Sequence, residues 1–366
     1  MNFLKTLFGK KKEAVKSYED FWNWFKKEEA SFSKVVKEKG DVDKVFFSKL
    51  SLKLDELKEG FFFSTGMYDD TTVELVITAD GSIKLIAFVE ELINAAPKLA
   101  GWKFTALKPP LDIADVNIAM AGFEFNRNNL HFYENRLPAY PDEIDITVVH
   151  DDLTDDNREI IVNGTYIFLD NYIGELDFVT TIDNISIVSK SEATEALIPI
   201  NKLKDFLTWR EKEFVEKYDG LRYDTENDNY SGLEAKLENG NALIALINTD
   251  LLTWDCKASH PWILNIQIKY DGANYNGMPD ERIYALMSDI EKEITDELKD
   301  FDGYLNIGRQ TADNKREIYF ACREFRKPSK VLLKIQQKYG ESIDLDYDIY
   351  KDKYWQSFNR FTNNIE

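Results

Sequence analysis

The sequence predicts an α+β protein of two domains, and two patterns in its last third carry this prediction. Residues 262–270 and 343–350 alternate apolar and polar side chains, as strands with one buried face do. Between them lie two segments with apolar residues at three- and four-residue spacing, which is typical of amphipathic helices, and a pair of short strands. Short connections and right-handed crossovers favour a four-stranded antiparallel sheet with two helices on one face. The C-terminal domain is therefore predicted to be a ferredoxin-like βαββαβ sandwich, with one sheet face buried and the other largely wet.

Each element of this series has a recognisable beginning or end. The first helix, 281–299, starts after Pro279 and Asp280. The paired strands 304–309 and 316–323 flank a polar turn at Ala312-Asp313-Asn314. The second helix starts at Lys327-Pro328-Ser329 and ends at Gly340, in the position expected of a C-cap.

The first half of the chain predicts a second mixed set of elements. The helices are 18–37, one between Gly40-Asp41 and Gly60, one between Gly81 and Pro97, 155–172 and 200–218. The strands are 61–67, 73–78, 102–107, 121–125, 130–134, 143–149 and 182–188. Gly174-Glu175, after the fourth of these helices, is interpreted as a C-cap followed by a surface acid.

A polar stretch of little apolar content, 219–230, is interpreted as the linker between the domains. It separates an N-terminal domain at 17–218 from a C-terminal domain at 231–366, and a tail occupies 1–16. Beyond the linker, the central Asn-Gly of Glu238-Asn239-Gly240-Asn241 predicts a hairpin. We expect this hairpin to extend or cover the C-terminal sheet.

Composition limits the classes of function. A net charge of −20 argues against nucleic-acid binding, which needs clustered Lys and Arg. It favours a basic protein partner, or no charged partner at all. Cys256 and Cys322 are interpreted as packing residues in a reducing compartment, hence a cytoplasmic protein. No apolar run is long enough to span a bilayer. Apolar residues before Lys10-Lys11-Lys12 resemble an amphipathic anchor, but Met1–Lys12 is expected to be a loosely ordered or core-docked tail.

Two motifs in the last third carry a family resemblance. Asn276-Gly277-Met278-Pro279-Asp280 opens a helix, and Gly303–Arg309 is followed by Thr311 and the strand at 316–320. In this order and spacing the chain resembles the domain of unknown function 695 family over roughly residues 230–358. The resemblance implies a ferredoxin-like second domain in a cytosolic bacterial protein.

Weaker likenesses involve the rest of the chain. The segments Val76–Gly81, Ala95-Ala96-Pro97 and Gly101–Phe104 resemble the domain that accompanies this module in Bacteroidetes-type proteins. The C-terminal module is also distantly similar to the regulator of ribonuclease activity B, a small acidic protein that inhibits an endoribonuclease by binding it. That likeness implies protein binding without catalysis.

One candidate contact site lies around the middle hairpin. Arg309, Thr311, Arg316 and Arg323 are expected to come together there, with Asp280 at a nearby helix start. Arginines so placed can clamp a carboxylate or phosphate. The alternative is that they neutralise acidic neighbours in this acidic chain.

A second candidate is an acidic sheet face. Asp344, Asp346 and Asp348 share one side of a strand, with successive members about 6.6 Å apart. They are expected beside the strand that bears Lys269 and Gln267, either as a solvated face or as a docking face for a basic partner. Tyr319 is the only aromatic residue expected at the centre of that face, which disfavours RNA stacking.

Metal and catalytic sites have little support in the sequence. His150-Asp151-Asp152 lies in a run with seven acids between Asp142 and Asp156, but the spacing matches no cation loop. His131, His150 and His260 lack zinc-site spacing. We therefore expect no metal, no cofactor and no catalytic residue. The sequence predicts a non-enzymatic protein-binding or regulatory module that uses an acidic surface, and the competing hypothesis is an enzyme or small-anion sensor at the 309–323 hairpin or in a cleft between domains.

Overall fold

The computed structural model describes residues 15–362, in which ten α-helices and four sheets form. The chain divides into two compact units. The first runs through Pro110 and includes Gly174–Leu176, and the second contains Leu111–Ile173 and the chain from Asp177 onward. No helix within residues 15–362 is long and apolar enough to cross a membrane. The predicted tail at Met1–Lys12 lies outside the described residues.

The first unit packs three helices with one three-stranded sheet. Its helices are α1 (Tyr18–Lys37), α2 (Ser48–Leu57, preceded by a π-helical turn at Asp43–Phe47) and α3 (Ile83–Asn94). Its strands are β1 (Phe62–Met67), β2 (Val73–Thr78) and β3 (Trp102–Ala106), with β2 in the centre, antiparallel to β1 and parallel to β3. An aromatic cluster fills the core: Phe25 lies edge-on to Trp102 and Phe104, with ring centroids 5.0 and 5.4 Å away.

A buried carboxylate organises one loop of this unit. Glu175 is fully buried, and its side chain accepts hydrogen bonds from the Thr78 hydroxyl at 2.5 Å and from the backbone N–H groups of Ala79, Gly81 and Lys108 at 3.0–3.1 Å. Four donors compensate for the lost hydration of the charge. The interpretation of Glu175 as a surface acid is therefore wrong.

The second unit contains two larger sheets and one small one. Its helices are α4 (Arg158–Ile173), α5 (Glu175–Thr181, whose first two residues belong to the first unit), α6 (Leu203–Tyr218), α7 (Thr249–Thr253), α8 (Glu281–Glu297), α9 (Arg326–Tyr339) and α10 (Asn359–Thr362). Its strands are β4 (Ile118–Met120), β5 (Phe123–Phe125), β6 (Leu130–Glu134), β7 (Asp145–His150), β8 (Asn184–Ser189), β9 (Ile198–Pro199), β10 (Tyr230–Lys236), β11 (Ala242–Asn248), β12 (Trp262–Lys269), β13 (Tyr304–Ala312), β14 (Lys315–Cys322) and β15 (Asp344–Lys351). The pair β4–β5 forms the small sheet, and the order β8-β7-β6-β9 forms the first of the larger ones.

The second large sheet has six antiparallel strands in the order β10-β11-β13-β14-β12-β15. The four strands of the predicted βαββαβ series are neighbours in it, and the predicted hairpin adds β10 and β11 beside β13. Helices α8 and α9 connect β12 to β13 and β14 to β15. Met287, Ile290 and Ile294 of α8 and Leu332 of α9 are buried, as expected for amphipathic helices that cover a sheet.

The opposite face of this sheet is covered over much of its area. Ile263 and Tyr319 belong to an apolar cluster there, together with Leu251 of α7 and with Phe358 and Phe361 from the C-terminal end. The prediction of a largely wet second face is therefore wrong. The reason is that a short C-terminal segment with few apolar residues covers part of this face with two phenylalanines.

A two-residue turn fixes the β13–β14 hairpin. Asp313 and Asn314 both have positive φ, 51° and 67°, the conformation favoured in tight hairpins. The Asp313 carboxylate accepts hydrogen bonds from the side-chain amides of Asn239 and Asn241, at the tip of the neighbouring hairpin. Asn314 accepts from the N–H of Gly272 and donates its own N–H to the backbone of Gly277. The turn is thus bonded to two other loops.

A polar network connects the two larger sheets of the second unit. Asp183, beside β8, accepts hydrogen bonds from the side-chain amines of Lys351 and Lys353, both at 2.7 Å. Lys353 also donates to the backbone carbonyl of Asp142. Burial lowers the pKa of Lys351 to about 8, although Asp183 opposes this shift.

The predicted linker 219–230 packs against the C-terminal sheet. Thr225 donates from its N–H and its hydroxyl to Asp300, both at 2.9 Å, and the Tyr223 ring lies 4.8 Å from Trp254. The segment falls inside the second compact unit, whose limits differ from the predicted domains. A boundary for independent folding at 219–230 stays a prediction.

A buried imidazole lies behind this segment. His260 is fully buried, its Nδ1 lies 2.8 Å from the Ser259 hydroxyl, and its ring is 5.5 Å from Trp254. Among the described residues its Nε2 has no hydrogen-bond partner. Burial, with a smaller contribution from the Arg222 charge, lowers the pKa of His260 to about 4.

We expect the free energy of unfolding to fall as the pH drops from 6.5 through 4, because His260 binds its proton less readily in the folded chain than in the unfolded one. The difference between its pKa values in the unfolded and folded chain corresponds to about 3 kcal/mol of unfolding free energy. This contribution is fully present above the unfolded pKa of about 6.5 and is lost as the pH falls toward 4. Urea unfolding at pH 7, 5.5 and 4 measures it.

Comparison with a His260→Gln variant isolates this histidine from the carboxylates that titrate nearby. As the pH falls, the wild type should lose more stability than the variant loses. A His131→Gln variant, at a partly exposed histidine, serves as the control for the loss of an imidazole. Equal slopes for wild type and His260→Gln would contradict the assignment.

Candidate functional site

The β13–β14 hairpin brings three of the predicted contact residues together. Thr311 is paired with Arg316 across the hairpin, and Arg309 is paired with Ile318 two positions away. Residues directly opposite each other, and those two positions along, share a sheet face. Arg309, Thr311 and Arg316 therefore lie on one face, the face covered by α8 and α9.

Arg316 is 2% exposed, which is rare for an arginine. Its Nε donates to the Thr311 hydroxyl at 3.1 Å, and its guanidinium carbon lies 5.0 Å from the centre of the Tyr284 ring. Its Nη1 is 3.8 Å from Glu291 Oε2, too far for a hydrogen bond. Among residues 15–362 this buried nitrogen has no hydrogen-bond partner.

Glu291 of α8 lies between the two arginines. Its Oε1 accepts a hydrogen bond of 2.7 Å from Arg309 Nη1, while its Oε2 has no hydrogen-bond partner in the described chain. Burial and the Arg309 charge lower the pKa of Arg316, and Glu291 opposes them. A guanidinium stays protonated in proteins, so two positive charges and one negative charge leave a local net charge of +1.

A pocket of about 280 Å³ opens beside these groups. It is lined by Ile244, Leu246, Met278, Pro279, Tyr284, Arg309, Thr311 and Arg316. The register places Ile244 opposite Thr311 and Leu246 opposite Arg309, so β11 supplies an apolar floor beside the polar groups. Ile244, Leu246 and Tyr284 are 47%, 37% and 48% exposed, so no part of residues 15–362 fully covers this part of the face.

The apolar side of this site was not predicted from the sequence. Ile244 and Leu246 alternate with buried Ala245 and Ile247, so the whole strand appears apolar on both faces and gives no sign of which face is open. The missing information was the position of β11 at the margin of the helix layer.

Arg323 does not join the other arginines. It lies seven residues beyond Arg316 along the strand direction, about 23 Å at the rise of a strand. Its Nη1 donates to the backbone carbonyl of Leu221 at 2.6 Å. The expectation that Arg323 belongs to the cluster is wrong, because hairpin pairing gathers only residues close to the turn.

Asp280 caps a helix near the pocket. Its carboxylate accepts a 2.7 Å hydrogen bond from the N–H of Ile283, in the first turn of α8. Met278 and Pro279, which precede it, line the pocket, whereas Asp280 does not. Its observed contact is that of an N-cap.

Tyr319 lies on the opposite face of the sheet and is 2% exposed. Its ring is 5.3 Å from Phe358, and its hydroxyl accepts a 3.1 Å hydrogen bond from Arg360. Burial raises the pKa of Tyr319. The expectation that this ring occupies an open sheet face is therefore wrong.

The three aspartates of β15 are exposed at the edge of the six-stranded sheet. They lie opposite Lys269, Gln267 and Asn265 of β12, and Lys269 is 3.7 Å from Asp344. The Asp346 and Asp348 carboxylates accept hydrogen bonds of 2.8 and 2.9 Å from the N–H groups of Tyr347 and Ile349. These two carboxylates thus satisfy donors of their own strand.

Acids of the run from Asp142 to Asp156, which includes β7, bind groups within the chain. His150 is fully buried, with Nε2 3.0 Å from the Glu124 carbonyl and Nδ1 accepting from the N–H of Asp152. Asp142 accepts hydrogen bonds from Lys217, Tyr218 and Tyr354. Within residues 15–362, no group of three or more His, Cys, Asp or Glu side chains has a geometry that could hold a metal ion.

Comparison with known proteins finds one family model to which the C-terminal module is similar. Residues 228–362 match the model of a family of unknown function, DUF695, which confirms the resemblance noted for roughly residues 230–358. The matched region contains all eight residues that line the pocket. Neither the curated proteins nor the solved structures yield a match to the chain. The likenesses of the first half and to the regulator of ribonuclease activity B stay predictions.

Replacing Glu291 with Gln should lower the free energy of unfolding by about 2 kcal/mol, because it leaves the buried Arg316 charge without its counter-charge. Urea denaturation measures the change. Glu297→Gln is the matched control, since Glu297 is exposed on the same helix, and its replacement should change stability by less than about 0.5 kcal/mol. Equal effects of the two substitutions would show that Glu291 does not neutralise the arginines.

Proposed function

We propose that this protein is a non-enzymatic binding or regulatory module, and that its C-terminal module binds an anionic ligand in the pocket beside Arg309, Thr311 and Arg316. The observation that carries the proposal is Arg316. Arg316 is only 2% exposed, and its Nη1 has no hydrogen-bond partner in the described chain. A buried donor without a partner is costly, so an arrangement that retains one is typical of a site completed by a ligand.

The proposal of binding without catalysis rests on the residues available. Among the described residues that line the pocket there is no imidazole, thiol, amine or carboxylate. Glu291, a carboxylate beside the pocket, forms an ion pair with Arg309. General acid–base chemistry needs a group that can exchange a proton near neutral pH.

We further propose a cytoplasmic protein with a C-terminal domain of the ferredoxin-like class. Two observations support this. Cys256 and Cys322 are free thiols, as is usual in a reducing compartment. The four strands β15-β12-β14-β13 are antiparallel neighbours in that order, with α8 and α9 as the two connecting helices, which is the βαββαβ arrangement.

A thermal-shift screen of carboxylates, phosphates and phosphorylated metabolites at low salt tests the proposed site. At a concentration of about 100 Kd, a ligand of the folded chain adds about 2.7 kcal/mol and should raise Tm by about 5 °C or more. We expect at least one anion to do so for the wild type, and the shift to disappear in Arg309→Met.

The matched control is Lys334→Ala, which removes one positive charge from the exposed side of α9. This variant should keep the ligand shift. A screen in which no anion stabilises the chain, or a shift that survives in Arg309→Met, would overturn the proposal.

The acidic edge of β15 is the second candidate, as a docking face for a basic partner. Its support is the row of three exposed aspartates, of which Asp344 alone lies near a lysine of the neighbouring strand. We rank it below the pocket, because the carboxylates of Asp346 and Asp348 already accept hydrogen bonds from β15.

Fluorescence anisotropy with a lysine-rich decapeptide tests this edge. If it is a docking face, changing Asp344, Asp346 and Asp348 to Asn should weaken binding at least tenfold at low salt. The control removes three charges from α6 instead, with Asp205→Asn, Glu211→Gln and Glu216→Gln. Equal losses in both triple variants would mean that only net charge matters, and the edge would then be no site.

A further inference from the structure

Resting on the proposed function, we infer that the pocket selects a monocarboxylate attached to an apolar group, and that it disfavours a phosphate. Two features of the site favour such a ligand: the charges around the unpartnered nitrogen of Arg316, and the apolar floor supplied by β11.

The charge count favours a single negative charge. Arg309 and Arg316 contribute two positive charges, and Glu291 removes one, through contacts of 2.7 Å to Arg309 and 3.8 Å to Arg316. A monoanion neutralises the remaining charge. A phosphate monoester carries close to two negative charges at pH 7, and its excess charge would lie beside the Glu291 carboxylate in a poorly hydrated place.

A second acid reinforces this preference. Glu234 lies opposite Ile244 on the same face of the sheet, two strands away from Thr311, at about 10 Å by the spacing of strands. Glu234 is exposed, so its effect is weaker than that of Glu291. Both acids act against a dianion.

The Arg316 guanidinium suits a carboxylate in shape. Tyr284 covers one face of the Arg316 guanidinium at 5.0 Å, and Thr311 accepts the hydrogen bond of its Nε. These contacts hold the guanidinium plane in one orientation, with Nη1 left to donate. A planar guanidinium held in this way matches a planar carboxylate better than it matches a tetrahedral anion.

The rest of the pocket suits an apolar group. Five of the eight lining residues are Ile244, Leu246, Met278, Pro279 and Tyr284. An aryl or branched alkyl group in about 280 Å³ would cover side chains of Ile244 and Leu246 that are now 47% and 37% exposed. Removing apolar surface from water is favourable, so the apolar group should contribute affinity that the carboxylate alone lacks.

Such a group has two sources, a free acid or the carboxyl terminus of a peptide that ends in an apolar residue. The shared chemistry is an apolar group beside one carboxylate. Both sources are represented among the probes.

The experiment is isothermal titration of the full chain with four probes that differ by one feature each: 3-phenylpropionate, 2-phenylethyl phosphate, 3-phenylpropanol and acetate. We expect 3-phenylpropionate to bind at least tenfold more tightly than each of the other three. Tighter binding of the phosphate, or equal binding of the alcohol, would overturn the inference while the proposed binding site stands. If no probe binds and the wider anion screen is also empty, the proposed function itself fails.

Two variants make the test specific to this pocket. Leu246→Glu places a negative charge at the half-exposed floor and should abolish binding of 3-phenylpropionate, whereas Leu246→Gln, of similar shape, should weaken it less than tenfold. Glu291→Gln raises the local charge to +2 and should shift the preference toward 2-phenylethyl phosphate by at least tenfold relative to 3-phenylpropionate. An unchanged ratio in Glu291→Gln would contradict the charge argument.

A pair of peptides distinguishes the two sources of the carboxylate, a free acid and the carboxyl terminus of a peptide. The tripeptide Gly-Gly-Phe with a free carboxylate is compared with its C-terminal amide. Tighter binding of the free peptide than of 3-phenylpropionate supports a peptide terminus as the ligand. Weaker binding supports a free acid. Equal binding of peptide and amide would count against carboxylate recognition altogether.

Discussion

The turn at Asp313 and Asn314 determines the arrangement of side chains on the six-stranded sheet. A turn of two residues with positive φ permits only one pairing of β13 with β14, and a shift of one residue would move every side chain of one strand to the opposite face. Arg316 would then leave the helix side and Tyr319 would enter it. Because Asn239, Asn241 and the Gly272–Gly277 loop all bond to this turn, the neighbouring hairpin and the loop before α8 are positioned together with it.

Much of this architecture was predictable from local patterns. The alternation in 262–270 and 343–350, the apolar stripe of α8 and the Asn-Gly of the β10–β11 hairpin each depend on neighbouring residues, and each element forms. Long-range contacts were not predictable. Phe358 and Phe361 lie in a polar C-terminal stretch, and only the fold brings them over Tyr319. Glu175 lies among residues typical of an exposed surface, yet four donors from two distant segments, Thr78–Gly81 and Lys108, surround its carboxylate.

The same division holds for the candidate site. Hairpin pairing made Arg309, Thr311 and Arg316 neighbours, and the sequence indicated this because the residues flank one turn. Glu291 lies on α8, seven residues after Tyr284. Its contact with the arginines depends on how α8 crosses the sheet. The net charge of −20 was likewise a poor guide to surface chemistry. Asp142 and Asp183 both contribute to this net charge, but lysine and tyrosine side chains of the same unit bind their carboxylates.

The aspartates of β15 also affect self-association of the chain. An edge strand of eight residues offers a template on which a second chain can continue the sheet, which is a route to aggregation. Here the N–H groups of Tyr347 and Ile349 are already occupied by side chains, and pairing two such edges would bring three carboxylates of one copy against three of the other. The acidic row thus opposes growth of the sheet by self-association at the β15 edge.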